Sequence, residues 1–167
     1  MSDSTDNVVS ESFFDFLNAL QPLSDLIMRV VVGWAFYASG ITKVVSEPLI
    51  NLLGTEIKYP TSLAPTDTTL FLFEEEYNVP LLAPELAAQL GTMAEIILPV
   101  LLVLGLFGRL AALGLFVFNI VAVLSYPPAQ SGAGLYLHVL WGVILLALVA
   151  HGPGKISIDH IFRKIRS

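Results

Sequence analysis

Cysteine is absent from this 167-residue chain, and charge is scarce. The first absence removes disulfide frameworks, thiolate metal sites, iron–sulfur clusters and cysteine nucleophiles, and with them much redox chemistry that the chain would otherwise carry alone. The second bears on class: charged residues make up 13% and hydrophobic residues 55%, where an ordinary soluble domain carries roughly 25% charge. A soluble protein with that surface would aggregate. Also missing are a Walker loop, a dinucleotide fingerprint, a nucleophile elbow and a zinc-ligand helix. The net charge of −6 comes mainly from the first 16 residues and from Glu47 to Glu85, so it describes two solvated segments and argues against nucleic acid as a partner.

What is present is four long apolar stretches, Leu23 to Val45, Glu85 to Phe107, Arg109 to Tyr126 and Leu135 to His151. Each is near the ~17 to 25 residues that cross ~30 Å of hydrocarbon. The reading is an all-α integral membrane protein, a four-transmembrane-helix bundle with a long extracytoplasmic loop carrying a short interfacial helix. Its expected divisions are a cytoplasmic tail with a short amphipathic helix (1–22), a membrane domain (23–151, outer loop 46–84) and a basic cytoplasmic tail (152–167).

Met1 to Ser12 is acidic and serine-rich, without the basic start, apolar core and cleavage site of a removable signal peptide. The first membrane helix is expected to act as its own insertion signal. Four spans put both termini and the Gly108 turn on one side, with Arg29, Arg109, Lys155, Arg163, Lys164 and Arg166, and leave Lys43 and Lys58 on the other. The positive-inside rule then places the termini in the cytoplasm and, for a bacterial inner membrane, the long loop in the periplasm.

Phe13, Phe16, Leu17 and Leu20 fall at helical spacing beside Glu11, Asp15 and Asn18, which predicts a short surface helix ended by Pro22. Asp25 and Arg29 follow four residues apart, a spacing that lets them form a structural pair below the headgroups. Gly33, Ser39 and Gly40 make a small-residue stripe that admits a neighbouring helix. In the outer loop, Asp67 to Pro80 has a capping-like start, four adjacent apolar residues and then Glu74, Glu75 and Glu76, which predicts an interfacial helix whose acids face water or a cationic partner.

Glu95 is the residue that costs most to bury. It lies ten residues inside Glu85, roughly 15 Å along a helix and near the bilayer centre. Pro99 cannot donate to the carbonyl of residue 95, so a carboxyl and a free carbonyl share one place, and desolvation favours the protonated carboxyl. Asn119 is expected at the same depth, where it can meet Glu95. His138 and Trp141 share an i,i+3 face farther out, level with Tyr126 and with Lys43, whose stem can snorkel outward or turn inward. Glu95, His138 and Lys43 are the candidates for proton chemistry; Asn119, Trp141 and Tyr126 are candidates to hold a quinone head group. Polar residues that merely knit helices together are the competing reading. No metal set is predicted. Haem fits poorly, because His138 and His151 are thirteen residues apart, roughly 20 Å along one helix, and cannot share an iron.

Several strings also resemble a known family. Arg29-Val-Val-Val-Gly33-Trp-Ala-Phe36-Tyr-Ala-Ser-Gly40-Ile-Thr-Lys43, then Glu95, the turn Gly105-Leu-Phe-Gly-Arg109-Leu-Ala-Ala112, and His151-Gly-Pro-Gly-Lys-Ile-Ser-Ile-Asp159 are similar in order and spacing to the DoxX family of small four-helix bacterial membrane proteins. The stretch from Thr68 to Ala87 resembles the branch found with gene clusters for metal-responsive, oxazolone-modified peptides, linked to copper handling and stress responses. The resemblance implies the four-helix fold and, through a thiosulfate:quinone oxidoreductase subunit and membrane components of redox-stress complexes, a quinone or redox setting.

The expected function is therefore a membrane subunit supporting a redox or metal/oxidative-stress pathway, an accessory to a quinone-linked oxidoreductase rather than a self-contained enzyme. The alternative is a non-catalytic anchor for soluble redox or peptide-modifying partners. Small-residue faces allow packing within one copy or between copies of a homo-oligomer.

Overall fold

The computed structural model describes residues 3–166, with side chains from Phe14 onward. Among the described residues, four helices are long and apolar enough to cross a membrane: Phe14–Ile41, Pro84–Leu104, Gly108–Ser125 and Gly132–His151. In chain order the elements are α1 (Asp3–Ile41), β1 (Val44–Leu52), β2 (Thr55–Pro65), α2 (Asp67–Glu75), α3 (Pro84–Leu104), α4 (Gly108–Ser125), a 3-10 turn (Pro127–Gln130), α5 (Gly132–His151) and α6 (Ile158–Arg166). α1 packs on α3, α3 on α4 and α4 on α5, with α1 also touching α5, so the four spans close into a bundle.

Its centre is a cluster of Val32, Phe36, Leu102, Ala111, Ala112, Leu115, Leu145 and Leu148. Small residues set the closest approaches, as helix association in lipid requires. A Cβ at Gly40 would sit 2.8 Å from Cβ and 3.0 Å from the carbonyl oxygen of Glu95, and one at Gly33 would sit 2.7 Å from Val103. The expected stripe on α1 is thus the contact with α3, and it carries the α1 backbone onto the carbonyl that Pro99 leaves without its helical donor. Long apolar side chains such as Leu110, Leu124, Val139 and Val143 remain exposed on the outside, where lipid is their solvent.

Two expectations are corrected. Pro22 does not end a surface helix; it lies inside α1, which runs unbroken from Asp3. Proline removes the bond to the carbonyl of Asn18, but residues 14–21 are exposed, so headgroups or water can take that carbonyl, and the helix continues past the ring. Phe16, Leu17 and Leu20 are exposed as a surface helix requires, whereas the side chain of Phe13 lies outside the described residues. The first span also ends earlier than Val45, because Val44 opens a strand.

That strand belongs to the feature the sequence reading lacked. β1 and β2 form an antiparallel hairpin turned by Leu53 and Gly54, both at positive φ, with Val44 opposite Pro65. A pair of positive-φ residues matches the right-handed twist of the flanking strands. Pro48, Pro60 and Pro65 are tolerated because a two-stranded ribbon has two free edges. After it, Thr66 caps α2 by accepting from the Thr69 N–H at 3.3 Å, and Glu74, Glu75 and Glu76 face outward.

At the opposite end the chain is tied by side chains to backbone. Asp159 accepts from the N–H groups of Phe107 (2.9 Å) and Gly108 (2.8 Å), so a carboxylate closes the positive end of α4. Arg109 donates to the carbonyls of Ala150 (3.2 Å) and His151 (3.4 Å), closing the negative end of α5. Gly105 turns α3 into α4 at φ +66, against Ser157 and the Arg29 guanidinium.

Candidate functional site

Lys43 sits two residues beyond the end of α1, and the hairpin fixes it there. By bringing the chain back with Val44 beside Pro65, the hairpin delivers Thr66 and Thr69 to the Lys43 carbonyl, which accepts from the Thr66 N–H (3.0 Å) and the Thr69 hydroxyl (2.9 Å). With its backbone clamped, the side chain turns inward. The Lys43 ammonium donates to the Ser39 hydroxyl at 2.9 Å and forms an ion pair with the Glu95 carboxylate. Of the two directions open to Lys43 in the sequence, inward is the one adopted. The Lys43 side chain is 15% and the Glu95 side chain 7% accessible, so the pair is largely shielded.

A second polar pair bridges α4 and α5. The Asn119 amide N–H donates to the His138 carbonyl at 2.9 Å, which turns the amide oxygen toward the imidazole, where it meets Nδ1 at 2.7 Å. Since an amide oxygen only accepts, Nδ1 carries the proton and, in the neutral ring, Nε2 is left as the acceptor. The ring stands edge-on to Trp141, centroids 5.0 Å apart. Asn119 was expected to meet Glu95 at equal depth. Its hydrogen bonds instead go to His138, since equal depth does not fix which way a side chain faces.

These pieces surround one cavity of about 180 Å³. Lys43, Glu95, Tyr126, His138 and Trp141 all line it, with Phe36, Phe73 and Tyr77. Five of the six residues singled out from sequence therefore share a wall, and the sixth, Asn119, orients one of them. Tyr77 and Phe73 were missed. Phe73, Tyr77 and Tyr126 form a continuous stack, with centroids 4.5 and 4.6 Å apart and interplanar angles of 7° and 10°. This stack joins the loop after α2 to the end of α4, helped by a 2.9 Å bond from the Asn78 N–H to the Ser125 carbonyl. Burial, with the negative charges of Glu95 and Glu76 adding to it, pushes the Tyr77 phenol up to about 12. At neutral pH it is a neutral hydroxyl beside the ion pair. The 73/77 spacing was visible as an i,i+4 aromatic pair, but nothing local said that it folds back over the bundle.

Asp25 and Arg29 are placed differently. Both are buried, and the guanidinium spends its donors on backbone carbonyls, those of Val103 (3.1 Å), Leu102 (3.5 Å), Asp25 (3.4 Å) and Ile156. Neither of the ion pairs within 4.0 Å among the described residues includes Arg29. Asp25 packs against Gly154, and together with Asp159 it acts on Arg29 through its charge rather than through a direct side-chain bond.

The profile of DoxX matches residues 24–127, more than half of the chain. The chain belongs to the DoxX family. It is an integral membrane protein, and the bilayer is the environment of its four spans. A protein of Haemophilus influenzae, named only as uncharacterized, is similar at 28% identity over 148 residues, 86% of this chain and 85% of the relative. No solved structure matches the chain significantly. Within this DoxX protein the match spans Lys43, Glu95, Asn119 and Tyr126, whereas His138 and Trp141 lie beyond it.

Proposed function

We propose that this DoxX protein is an accessory membrane subunit of a redox or metal/oxidative-stress pathway, and that the cavity between Lys43, Glu95, Tyr77, Tyr126, His138 and Trp141 is an intramembrane site for a quinone head group and its protons. The reading rests on one observation: an ion pair, a tautomer-fixed imidazole and a stack of aromatic rings converge on one partly open cavity. A space of about 180 Å³ would take roughly six waters at about 30 Å³ each, or one substituted ring, and is too small for a whole isoprenoid quinone.

The donor set suits such a ring. Aromatic walls from Trp141 and Phe36 contact it, Tyr77, whose two faces are covered by Phe73 and Tyr126, offers its edge, and the Lys43 ammonium and Tyr77 hydroxyl are donors for its two carbonyl oxygens. A quinone supplies two-electron chemistry that takes up two protons on reduction to the quinol. This chain's residues would hold and move those protons, at the Lys43–Glu95 pair and at His138 Nε2, while the electrons come from a partner protein. In this reading the protein sits in a bacterial inner membrane with both termini cytoplasmic, and the likeness of residues 68–87 to the metal-responsive peptide clusters suggests copper stress as the setting.

The test is extraction and mass spectrometry of small molecules bound to the gently purified protein, in parallel with Glu95→Gln and His138→Ala. A stoichiometric quinone in the wild type that falls away in the variants is expected. Unchanged quinone content in both variants sinks the site. The second reading, a non-catalytic anchor, is favoured by the exposed, basic α6. It predicts that charge reversal at Arg163 and Lys164 abolishes function in vivo while Glu95→Gln is silent.

A further inference from the structure

A larger cavity, about 620 Å³, opens at the other end of the bundle between the start of α4, the end of α5 and α6. Its polar lining is Arg109, Arg163, Arg166 and His151, and its apolar lining includes Phe107 and Phe162. Three guanidiniums face one carboxylate there. That carboxylate, Asp159, already accepts from the N–H groups of Phe107 and Gly108, so its oxygens are committed to capping α4. The pocket therefore has an excess of positive charge beside aromatic surface.

The helix that forms one wall has a face with no counterpart in the protein. α6 segregates its residues sharply. Ile161, Phe162 and Ile165 are 55–76% exposed on one side, and Asp159, Arg163 and Arg166 line the adjacent flank toward the pocket. At helical spacing, residues 158, 161, 162 and 165 make an apolar stripe with cations on its borders, the pattern of a helix lying in the membrane interface. From the pocket, a lipid-facing stripe continues down α4 through Leu110 (66% exposed), Leu113 (45%) and Val117 (52%), spaced i, i+3 and i+7. Cationic side chains at headgroup level, an aromatic flank and an apolar track into the hydrocarbon describe the two ends of one kind of molecule.

We infer that the pocket formed by Arg109, Arg163, Arg166 and His151 binds the phosphate of an anionic phospholipid whose acyl chains lie along the Leu110–Val117 face of α4. The guanidiniums of Arg163 and Arg166 take the phosphate, because Arg109 already spends donors on the carbonyls of Ala150 and His151, whereas Arg163 gives its Nε to the Asp159 carbonyl at 3.4 Å and keeps its terminal nitrogens for the ligand. Bound in this way, the lipid would clip α6 to the end of the α4–α5 pair. The inference is independent of the quinone reading, since it concerns the opposite end of the bundle.

The test uses the full-length protein in detergent micelles, titrated with phosphatidylglycerol, cardiolipin or phosphatidylcholine and read by native mass spectrometry. Three variants accompany the wild type: Arg163→Gln/Arg166→Gln, a charge-matched control at the same end, Lys155→Gln/Lys164→Gln, and Phe162→Ser. The wild type should retain one anionic lipid at least tenfold more tightly than phosphatidylcholine. The arginine pair should lose about tenfold to thirtyfold of that preference, because its guanidiniums make charge-assisted contacts to the phosphate, and the lysine pair, outside the pocket lining, little. Phe162→Ser should weaken anionic and zwitterionic lipid alike. Equal loss in both charge variants would mean diffuse attraction and overturn the site, as would equal retention of phosphatidylcholine. Displacement of the lipid by millimolar inorganic phosphate, with no dependence on acyl chains, would make it an anion site and overturn the lipid assignment. A soluble protein that leaves with the arginine substitutions, with no lipid selectivity in the wild type, would overturn it too.

Discussion

The two ends of this bundle bury charge in opposite ways. At the α6 end, Arg29, Arg109 and Asp159 hydrogen-bond to main-chain carbonyls and amides, joining helix termini that no helical bond can satisfy. At the hairpin end, Lys43 bonds to Glu95 and Ser39, Asn119 bonds through its oxygen to the His138 ring, and a cavity lies between them. A charge held by backbone has partners that cannot titrate or move away. A charge held by another titratable side chain, beside a cavity, can exchange protons with whatever enters. The first arrangement builds the fold, and the second leaves chemistry available.

The strongest way to break the comparison is to remove one charge from each end. Arg29→Met should cost about 3–5 kcal/mol, because it takes the side-chain donor from the partly buried carbonyls of Val103 and Ile156 and leaves the buried Asp25 without its nearby cation. Lys43→Met should cost less, since Glu95 borders a cavity that can admit water to the carboxylate left behind. Yield of monodisperse protein and melting temperature in detergent would rank the two. If Lys43→Met is the more damaging, the division between structural and available charge fails.

Glycine substitutions probe the same ends through packing. In Gly105→Ala the new methyl would fall 2.4 Å from Ser157 Cβ and 2.5 Å from an Arg29 nitrogen, at φ +66, so it meets both a clash and an unfavourable backbone. Gly40→Ala would meet Glu95 Cβ at 2.8 Å, with an ordinary helical backbone. We expect a loss of about 2–3 kcal/mol for the first and about 1–2 for the second, with Gly40→Ala also disturbing the Lys43–Glu95 pair. Thermal unfolding of both variants checks the order.

These contrasts also mark what the sequence could and could not disclose. The spans were legible because long apolar runs have few alternative explanations, and Glu95, Lys43 and His138 because a polar residue in such a run stands out. The hairpin was hidden. Its turn is Leu53-Gly54 rather than Asn-Gly, three prolines interrupt its strands, and most of both strands is exposed, so no alternation of apolar and polar residues betrays it. The backbone partners of Arg29 were hidden for a related reason. Asp25 is its sequence neighbour at helical spacing, but its real partners are carbonyls brought in by the end of α3 and the Ile156 turn, contacts that exist only once the bundle closes. Tyr77 escaped because a tyrosine after three glutamates reads as part of a solvated loop.

A finer comparison lies within the hairpin end. Glu95→Gln and Lys43→Met each leave one member of a shielded pair without its counter-charge, whereas the double variant removes both charges. The double variant should therefore melt closer to the wild type than the sum of the singles, with a coupling of about 1–3 kcal/mol. Additive losses would mean that the pair is solvated in the bilayer-embedded protein and that the cavity is open to water. The Asn119–His138 pair offers a control, because Asn119→Ala frees the imidazole to change tautomer without altering any charge.

The smallest effect expected is the most specific to the aromatic stack. With the phenol of Tyr77 moved from the ordinary 10.0 to about 12, the folded protein holds that proton more tightly than the unfolded chain. Its contribution is fully present below pH 10 and is lost as pH rises from 10 to 12, so stability should fall with pH across that window. Tyr77→Phe keeps the ring in the stack and removes the ionisable group, so its melting temperature should decline less between pH 9 and pH 11.5 than that of the wild type. The difference between the two slopes, rather than either alone, is the measure, because other tyrosines titrate in the same range. Parallel slopes would place the Tyr77 hydroxyl in water rather than against the cavity it lines.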